Sequence, residues 1–420
     1  KGSRDCRLFG LQRSGLHSDS TAKNYKVIMK ERIRVGLVAP MLFCYFVMGF
    51  MDLVGISTSY VQADFSARYP VEVFGFLPTA LFVWFLVLGV PTASLMNRIG
   101  RKNTVLLSMA FTFVGMIVPV LWYSFASCIV AFALLGIGNT VLQVSINPLL
   151  SNVVDGRNMT GVMTVGQFCR SLCSLSGPLI ASVAARGLGD WRYVFPIYAL
   201  VTLISALWLW ACRVPVETQV VSTSVKDTFA LLGRKKILLL FFAMMAFLGV
   251  DIGTNTESAQ LLMQRLGLDA SLPQSVARVS HAPMPYFFCR LVGALAGVWI
   301  LARLDSVKYF RICTAVMCAA VLGLMFASGE ILILCLIGII GLTCSSIFPI
   351  ILYEAMAEVR GRENEVSGLM ITAICGGAIA SPAMSYAVRL CGGNHVGALC
   401  VLLLCAAYLC IVAFGLKIRK

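Results

Sequence analysis

Apolar stretches of about 20 residues, each long enough to cross a bilayer as a helix, recur along the whole chain with only short polar segments between them. They lie near residues 34–62, 72–96, 103–122, 126–153, 160–186, 192–212, 237–262, 281–302, 307–328, 331–356, 366–390 and 394–416. Twelve spans are expected, the eighth being the least regular because Pro283 and Pro285 interrupt it. A soluble domain is roughly half apolar and a quarter charged, whereas this chain is 59% hydrophobic and 13% charged. That is too much apolar surface for a water-soluble core to absorb. The sequence therefore predicts an all-α integral membrane protein.

The net charge of +15 does not form a nucleic-acid patch, because the basic residues fall in short clusters between spans. Such clusters mark the cytoplasmic side of a membrane. With both termini cytoplasmic, Arg68, Arg186, Arg192, Arg265, Arg278 and Arg389 fall on the outer side. Arg170 and Arg290 lie within spans, and the rest of the 34 lysines and arginines are cytoplasmic. The longest polar segment ends in Arg234-Lys235-Lys236 and divides the spans six and six. The expected organisation is a polar extension over 1–28, a six-helix bundle over 29–212, a cytoplasmic linker over 213–236 and a second bundle over 237–420. Met29-Lys30-Glu31-Arg32 reads as a bacterial start just before the first span, which marks 1–28 as an addition that N-terminal sequencing of native protein would test. Most of the sixteen cysteines lie inside spans, Cys44, Cys128, Cys335 and Cys400 among them, where a thiol behaves as a small hydrophobe. No Cys/His spacing suits a metal, so neither a metal nor a cofactor is expected.

The two halves echo each other. Gly49-Phe-Met-Asp52 in the first span matches Gly249-Val-Asp251 in the seventh. Ser145-Ile-Asn-Pro148 in the fourth matches Ser346-Ile-Phe-Pro349 in the tenth, and Ser176-Gly-Pro178 matches Ala380-Ser-Pro382. The basic loop Asn97-Arg98-Ile-Gly-Arg101-Lys102 has its counterpart in Ala302-Arg303-Leu-Asp-Ser-Val-Lys308. A duplicated unit predicts two pseudo-symmetric bundles with a substrate site between them near the midplane. Pro148, Pro349 and the glycines of these spans let the helices bend and rock.

Polar residues inside spans are the site candidates, since a charge at the bilayer centre costs roughly 2.5–3.5 kcal/mol on insertion scales. Asp52 is either an ion-coupling carboxylate or one half of a fixed salt bridge to Arg170. Asn139, Gln143 and Asn147 recur every four residues along one helix face, which suits a polyhydroxylated ligand or bonding between helices. Gln167, Arg170 and Ser174 share another face. Arg170 cannot discharge, so it balances Asp52 or binds an anionic substrate such as a sugar acid. Asp251, Asn255 and Ser258, with Glu257 beside them, offer hard oxygens for a proton or sodium, although Glu257 also suits a helix end near outer water. Trp84, Phe82 and Tyr386 either stack on a pyranose or pack, and His281 is expected at the outer interface.

The segment Ala93-Ser-Leu-Met-Asn97-Arg98-Ile99-Gly100-Arg101-Lys102 resembles the loop signature of the major facilitator superfamily, with Ala93 and Asn97 standing where the motif has glycine and aspartate. The resemblance implies a conformational latch formed by Asn97, Arg98 and Arg101 on the cytoplasmic side. Within that superfamily, residues 34 to 416 look most like the fucose permease and glucose/galactose group of bacterial sugar symporters. The segments that carry this are the Asp52 region, Asn147-Pro148, Gly166-Gln167, Phe287-Phe288-Cys289-Arg290 and Ser346-Ile-Phe-Pro349. The likeness implies that Asp52 serves as the first of two functional acids, whereas Gln143 occupies the place of the second. A glutamine carries no proton, so Asp251 and Glu257 become candidates for that task. For Arg290 the likeness implies a structural or gating role.

The expected function is cation-coupled uptake of a sugar or sugar derivative, driven by protons or sodium, across the bacterial inner membrane by a monomer. A proton-coupled antiporter is the alternative, since Cys173-Ser-Leu-Ser-Gly177-Pro178-Leu-Ile-Ala181-Ser182 half matches the antiporter signature. An enzyme or a primary pump is not expected. The chain has only three histidines and no GxxxxGK[ST] loop to cradle a nucleotide.

Overall fold

Along the chain, helical segments alternate with tight turns in the order that the apolar stretches predict. The computed structural model describes residues 36–65, 67–69, 76–154, 156–187, 189–215, 225–268, 279 and 282–416. The extension 1–28, the start at Met29, His281 and the side chain of Asp52 lie outside the described residues.

The first half comprises α1 (36–48), a 3-10 turn (Gly49–Leu53), α2 (Val54–Phe65), α3 (Phe76–Ile99), α4 (Arg101–Leu121), α5 (Phe125–Ser151), α6 (Gly156–Gly187) and α7 (Val194–Ala211). A short α8 (Val225–Ala230) precedes the second half. That half comprises α9 (Lys235–Arg265), α10 (Met284–Leu301), α11 (Ser306–Phe326), α12 (Glu330–Cys344), α13 (Ile347–Glu358), α14 (Glu363–Thr372), α15 (Gly376–Leu390) and α16 (Val396–Gly415). The expected linker therefore contains α8 and the start of α9. The irregular eighth stretch begins its helix at Met284, because Pro283 sits at the N-cap and Pro285 in the first turn, where a missing N–H costs nothing.

Among the described residues, nine helices are long and apolar enough to cross a membrane. The protein is an all-α, multi-pass membrane protein. On α7 the faces separate cleanly: Tyr198, Thr202, Ser205 and Leu209 are buried, while Leu200, Leu203, Ile204, Leu207 and Trp208 are exposed. An apolar outer face of this kind needs lipid as its solvent.

The same joints recur in both halves. A Cβ on Gly136 of α5 would run into the Leu81 carbonyl of α3, and one on Gly341 of α12 into the Tyr286 carbonyl of α10. Lys102 donates to the Trp210 (2.9 Å) and Cys212 (2.7 Å) carbonyls at the end of α7. Arg311 does the same for Ala413 (3.1 Å) and Leu416 (2.7 Å) at the end of α16. In each case a cation satisfies carbonyls that the helix end leaves unpaired. The halves meet where α14 packs on α3 and α5, and where α6 packs on α10 and α13. Gly100 (φ 86°) and Gly361 (φ 83°) turn the chain at the basic end of each half, a conformation that a side chain would strain.

Candidate functional site

The first span is not one helix. Regular α-structure stops at residue 48, and Asp52 lies in the 3-10 turn that follows. Asn139 Nδ2 donates to the Met48 carbonyl at 2.7 Å, pairing a backbone group where the helix changes type. Gln143 Nε2 donates to Asn139 Oδ1 at 2.7 Å, and Asn147 Nδ2 to the Gln143 carbonyl at 3.0 Å. Tyr45 Oη completes the ladder on Asn147 Oδ1 at 2.5 Å. The three carboxamides are buried and tie the broken span to α5. From α6, Arg170 Nη2 approaches Met51 Sδ at 3.4 Å, and Gln143 Nε2 approaches the same sulfur at 3.5 Å. The approach is close because Gly49 leaves room: a Cβ there would sit 2.7 Å from the Arg170 carbonyl. Gln167 is buried one turn before Arg170, and Ser174 Oγ donates to the Arg170 carbonyl at 3.0 Å.

In the second half, Asp251 of α9 accepts from Arg290 Nη1 of α10 at 2.5 Å and from the buried Tyr286 hydroxyl. Both bonds fall on Oδ1. One turn on, Asn255 Nδ2 donates to the Asp251 carbonyl at 2.8 Å, while Asn255 Oδ1 is buried with no partner among the described residues. Glu257 lies apart from this group and is no helix-end residue, since α9 continues to Arg265. It meets Nδ1 of His395, the N-cap of α16, at 2.8 Å and ties α9 to the start of that helix. Ser258 Oγ donates to the Asn255 carbonyl at 3.0 Å. Phe82 and Tyr386 are exposed, and Trp84 Nε1 is buried with no partner among the described residues. At the end of the molecule away from the Arg101 seam, Asp190 caps the turn at Trp191, and its hydrogen bond from Arg192 holds its carboxyl below the usual range.

At the basic end the halves are bonded together. Asn97 Nδ2 donates to Glu365 Oε1 at 3.0 Å, and Asn364 Nδ2 to Asn97 Oδ1 at 2.5 Å. Arg101 Nε donates to Asn364 Oδ1 (2.7 Å), and Nη2 pairs with Glu363 (3.1 Å). Its Nη1 donates to the Pro148 carbonyl (2.9 Å) and Asn152 Oδ1 (2.5 Å) at the end of α5. Deeper in, Ser367 Oγ donates to the Val144 carbonyl at 2.6 Å, and a Cβ on Gly368 would lie 2.6 Å from the Gly89 carbonyl. One guanidinium therefore joins α4, α5 and α14, while Arg98 is exposed beside it. Pro148 lies inside α5, and Pro349 in the first turn of α13, where the tenth stretch breaks.

The profile of the Major Facilitator Superfamily matches residues 38–382. The chain belongs to that superfamily. No curated protein matches it in sequence. Among solved structures, the E. coli fucose:proton symporter FucP is similar at TM-score 0.74 and 15% identity, over 90% of this chain and 97% of that one. A structure of FucP in the outward conformation gives TM-score 0.75 and 16% identity over 90% and 97%. The proton:xylose symporter XylE gives 0.70 and 12% over 90% and 95%. At these identities the likeness is one of fold. Members of the superfamily are transporters, so the chain is not an enzyme.

The major facilitator fold brings together Arg101 with Asn97, and Arg290 with Asp251, but it separates Glu257 from both groups. Several partners carried no clear signal in the sequence. Tyr45 and Tyr286 are aromatic residues of a kind that mostly packs. Glu363 and Glu365 look like ordinary acids in the first turn of a helix, where the macrodipole alone favours them. His395 lies in a loop-like stretch, Asn394-His395, and only the fold sets it against Glu257.

Proposed function

We propose that this protein is a secondary active transporter that couples entry of a proton or sodium ion to uptake of a sugar or sugar derivative. It works as a monomer in the bacterial cytoplasmic membrane with both termini inside. Two bundles, 29–212 and 237–420, rock about the seam between α3, α6, α10 and α14. The observation that carries this reading is the carboxylate of Asp251, buried in the apolar interior and bonded through a single oxygen. Asp251 Oδ2 and Asn255 Oδ1 supply acceptors for a coupling cation, and Asp52 is the matching acid of the first half. When a proton neutralises Asp251, Arg290 loses its counter-charge, and the side-chain tie between α9 and α10 is rebalanced. Breaking a buried ion pair on one side costs roughly 3–5 kcal/mol, enough to bias a two-state carrier. The seam at Asn97 and Arg101 holds the basic, cytoplasmic end shut while the other end receives substrate.

Proteoliposomes with an imposed inward proton gradient, with and without sodium, test the reading. Labelled sugar should accumulate against its gradient. Asp251→Asn should abolish accumulation while leaving sugar exchange across the membrane intact. If Asp251→Asn accumulates sugar as the wild type does, Asp251 is not the coupling acid.

A further inference from the structure

The transport reading leaves open what the site binds, and Arg290 narrows it. Arg290 meets Asp251 through Nη1 alone. Its Nε and Nη2 have no hydrogen-bond partner among the described residues, and the side chain stays 22% accessible rather than sealed. A guanidinium cannot be discharged, and it offers its donors as a planar fork that matches a carboxylate with two parallel bonds. Asp251 therefore leaves one edge of that fork unused.

Arg290 stands on a face of α10 that borders the other half. A Cβ on Gly297 of α10 would touch Thr164 Cγ2 of α6 at 3.5 Å and would meet Ser346 Oγ at the start of α13. From that contact, Arg290 is seven residues along α10 and Arg170 six along α6, both away from the basic end. At 1.5 Å per residue they stand about 10.5 and about 9 Å above it. Seven residues make nearly two full turns, so Arg290 leaves α10 on the same face as Gly297, the face turned to the other half. At a similar level on α6 stands Arg170, whose guanidinium and Gln143 converge on Met51 Sδ.

We propose, on the basis of the transport reading, that the substrate is a sugar acid whose carboxylate docks on the Nε–Nη2 edge of Arg290, with its hydroxyls turned to Gln143. Asp251 stays bonded to Nη1 throughout, so binding the anion does not expel the coupling acid. A neutral sugar leaves the charged fork unmatched, whereas the carboxylate fills it.

Uronates and their parent hexoses differ only at C6, so the pairs glucuronate/glucose and galacturonate/galactose isolate the carboxylate. Proteoliposomes under the proton gradient, with and without sodium, should accumulate a uronate, and the parent hexose in large excess should not compete. Arg290→Lys keeps a charge for Asp251 but removes the fork. Its KM for the uronate in counterflow should rise roughly 10–100-fold, as expected for losing a hydrogen bond between charged partners. The double variant Arg290→Gln/Asp251→Asn, which leaves no unpaired charge, should show the same rise in counterflow with an unchanged melting temperature. Accumulation of a hexose with no uronate transport would overturn the sugar-acid assignment and leave the transport reading standing. An unchanged uronate KM in both variants would remove Arg290 from the site. If neither member of either pair moves, the transport reading fails and this inference fails with it.

Discussion

Asn97 stands where the superfamily motif has an aspartate, and the acid at this joint is instead Glu365 of the other half, 3.0 Å away. Restoring the motif by Asn97→Asp should therefore weaken the closed state rather than strengthen it, by placing one carboxylate against another. Losing a hydrogen bond to a charged group costs roughly 1.5–3 kcal/mol, so the closed-to-open ratio at the basic end should fall roughly 10–100-fold. Spin-label distances between α3 and α14 would record the shift, and an unchanged distribution would refute this account of the latch. Asn139 makes a related point. Its carboxamide pairs the Met48 carbonyl at a break in the first span, so a polar side chain inside the membrane serves the backbone there.

Three of the expected spans, the first, fifth and eleventh, are not among the long apolar helices, and the fifth and eleventh pack against the other half. The first is broken at Gly49–Leu53, and the eleventh at Ala373–Cys375. The fifth, α6, is continuous but carries Gln167, Arg170, Ser171 and Ser174. Irregular or polar backbone at this depth is tolerated only where protein or a water-filled cavity surrounds it. The regular helices instead depend on close joints. Gly136→Ala pushes a methyl into the Leu81 carbonyl, and such overpacking typically costs about 1–3 kcal/mol. Gly161 on α6 has nothing within 4 Å of an added Cβ. Gly161→Ala should gain roughly 0.5–1 kcal/mol from helix propensity alone. Thermal unfolding in detergent should separate the two variants in opposite directions, and equal melting temperatures would refute the joint.

Across the whole molecule, the bonds of Asn97, Arg101, Asn364 and Ser367 close the two halves at the basic end. If transport requires this end to open, oxidising an Asn97→Cys/Asn364→Cys pair should stop uptake completely, and reduction should restore it. Uptake that survives the cross-link would exclude rocking about this seam. The all-α, multi-pass membrane class and the superfamily were legible in the chain, because lipid imposes a local rule: each span must be apolar over its own length and satisfy its own backbone. The residue types of the site were legible too, since Asp251, Arg290 and the α5 carboxamides stand out against an apolar background. Their pairings were not. Asn97 and Glu365 are 268 residues apart, and Glu257 and His395 are 138 apart. No local pattern records which distant polar group a side chain will meet. Only the tertiary structure decided that Asp251 of α9 bonds Arg290 of α10 through one nitrogen and that the rest of the fork stays open. Burial makes that choice, because a polar group removed from water must find its partner among the residues the fold places beside it.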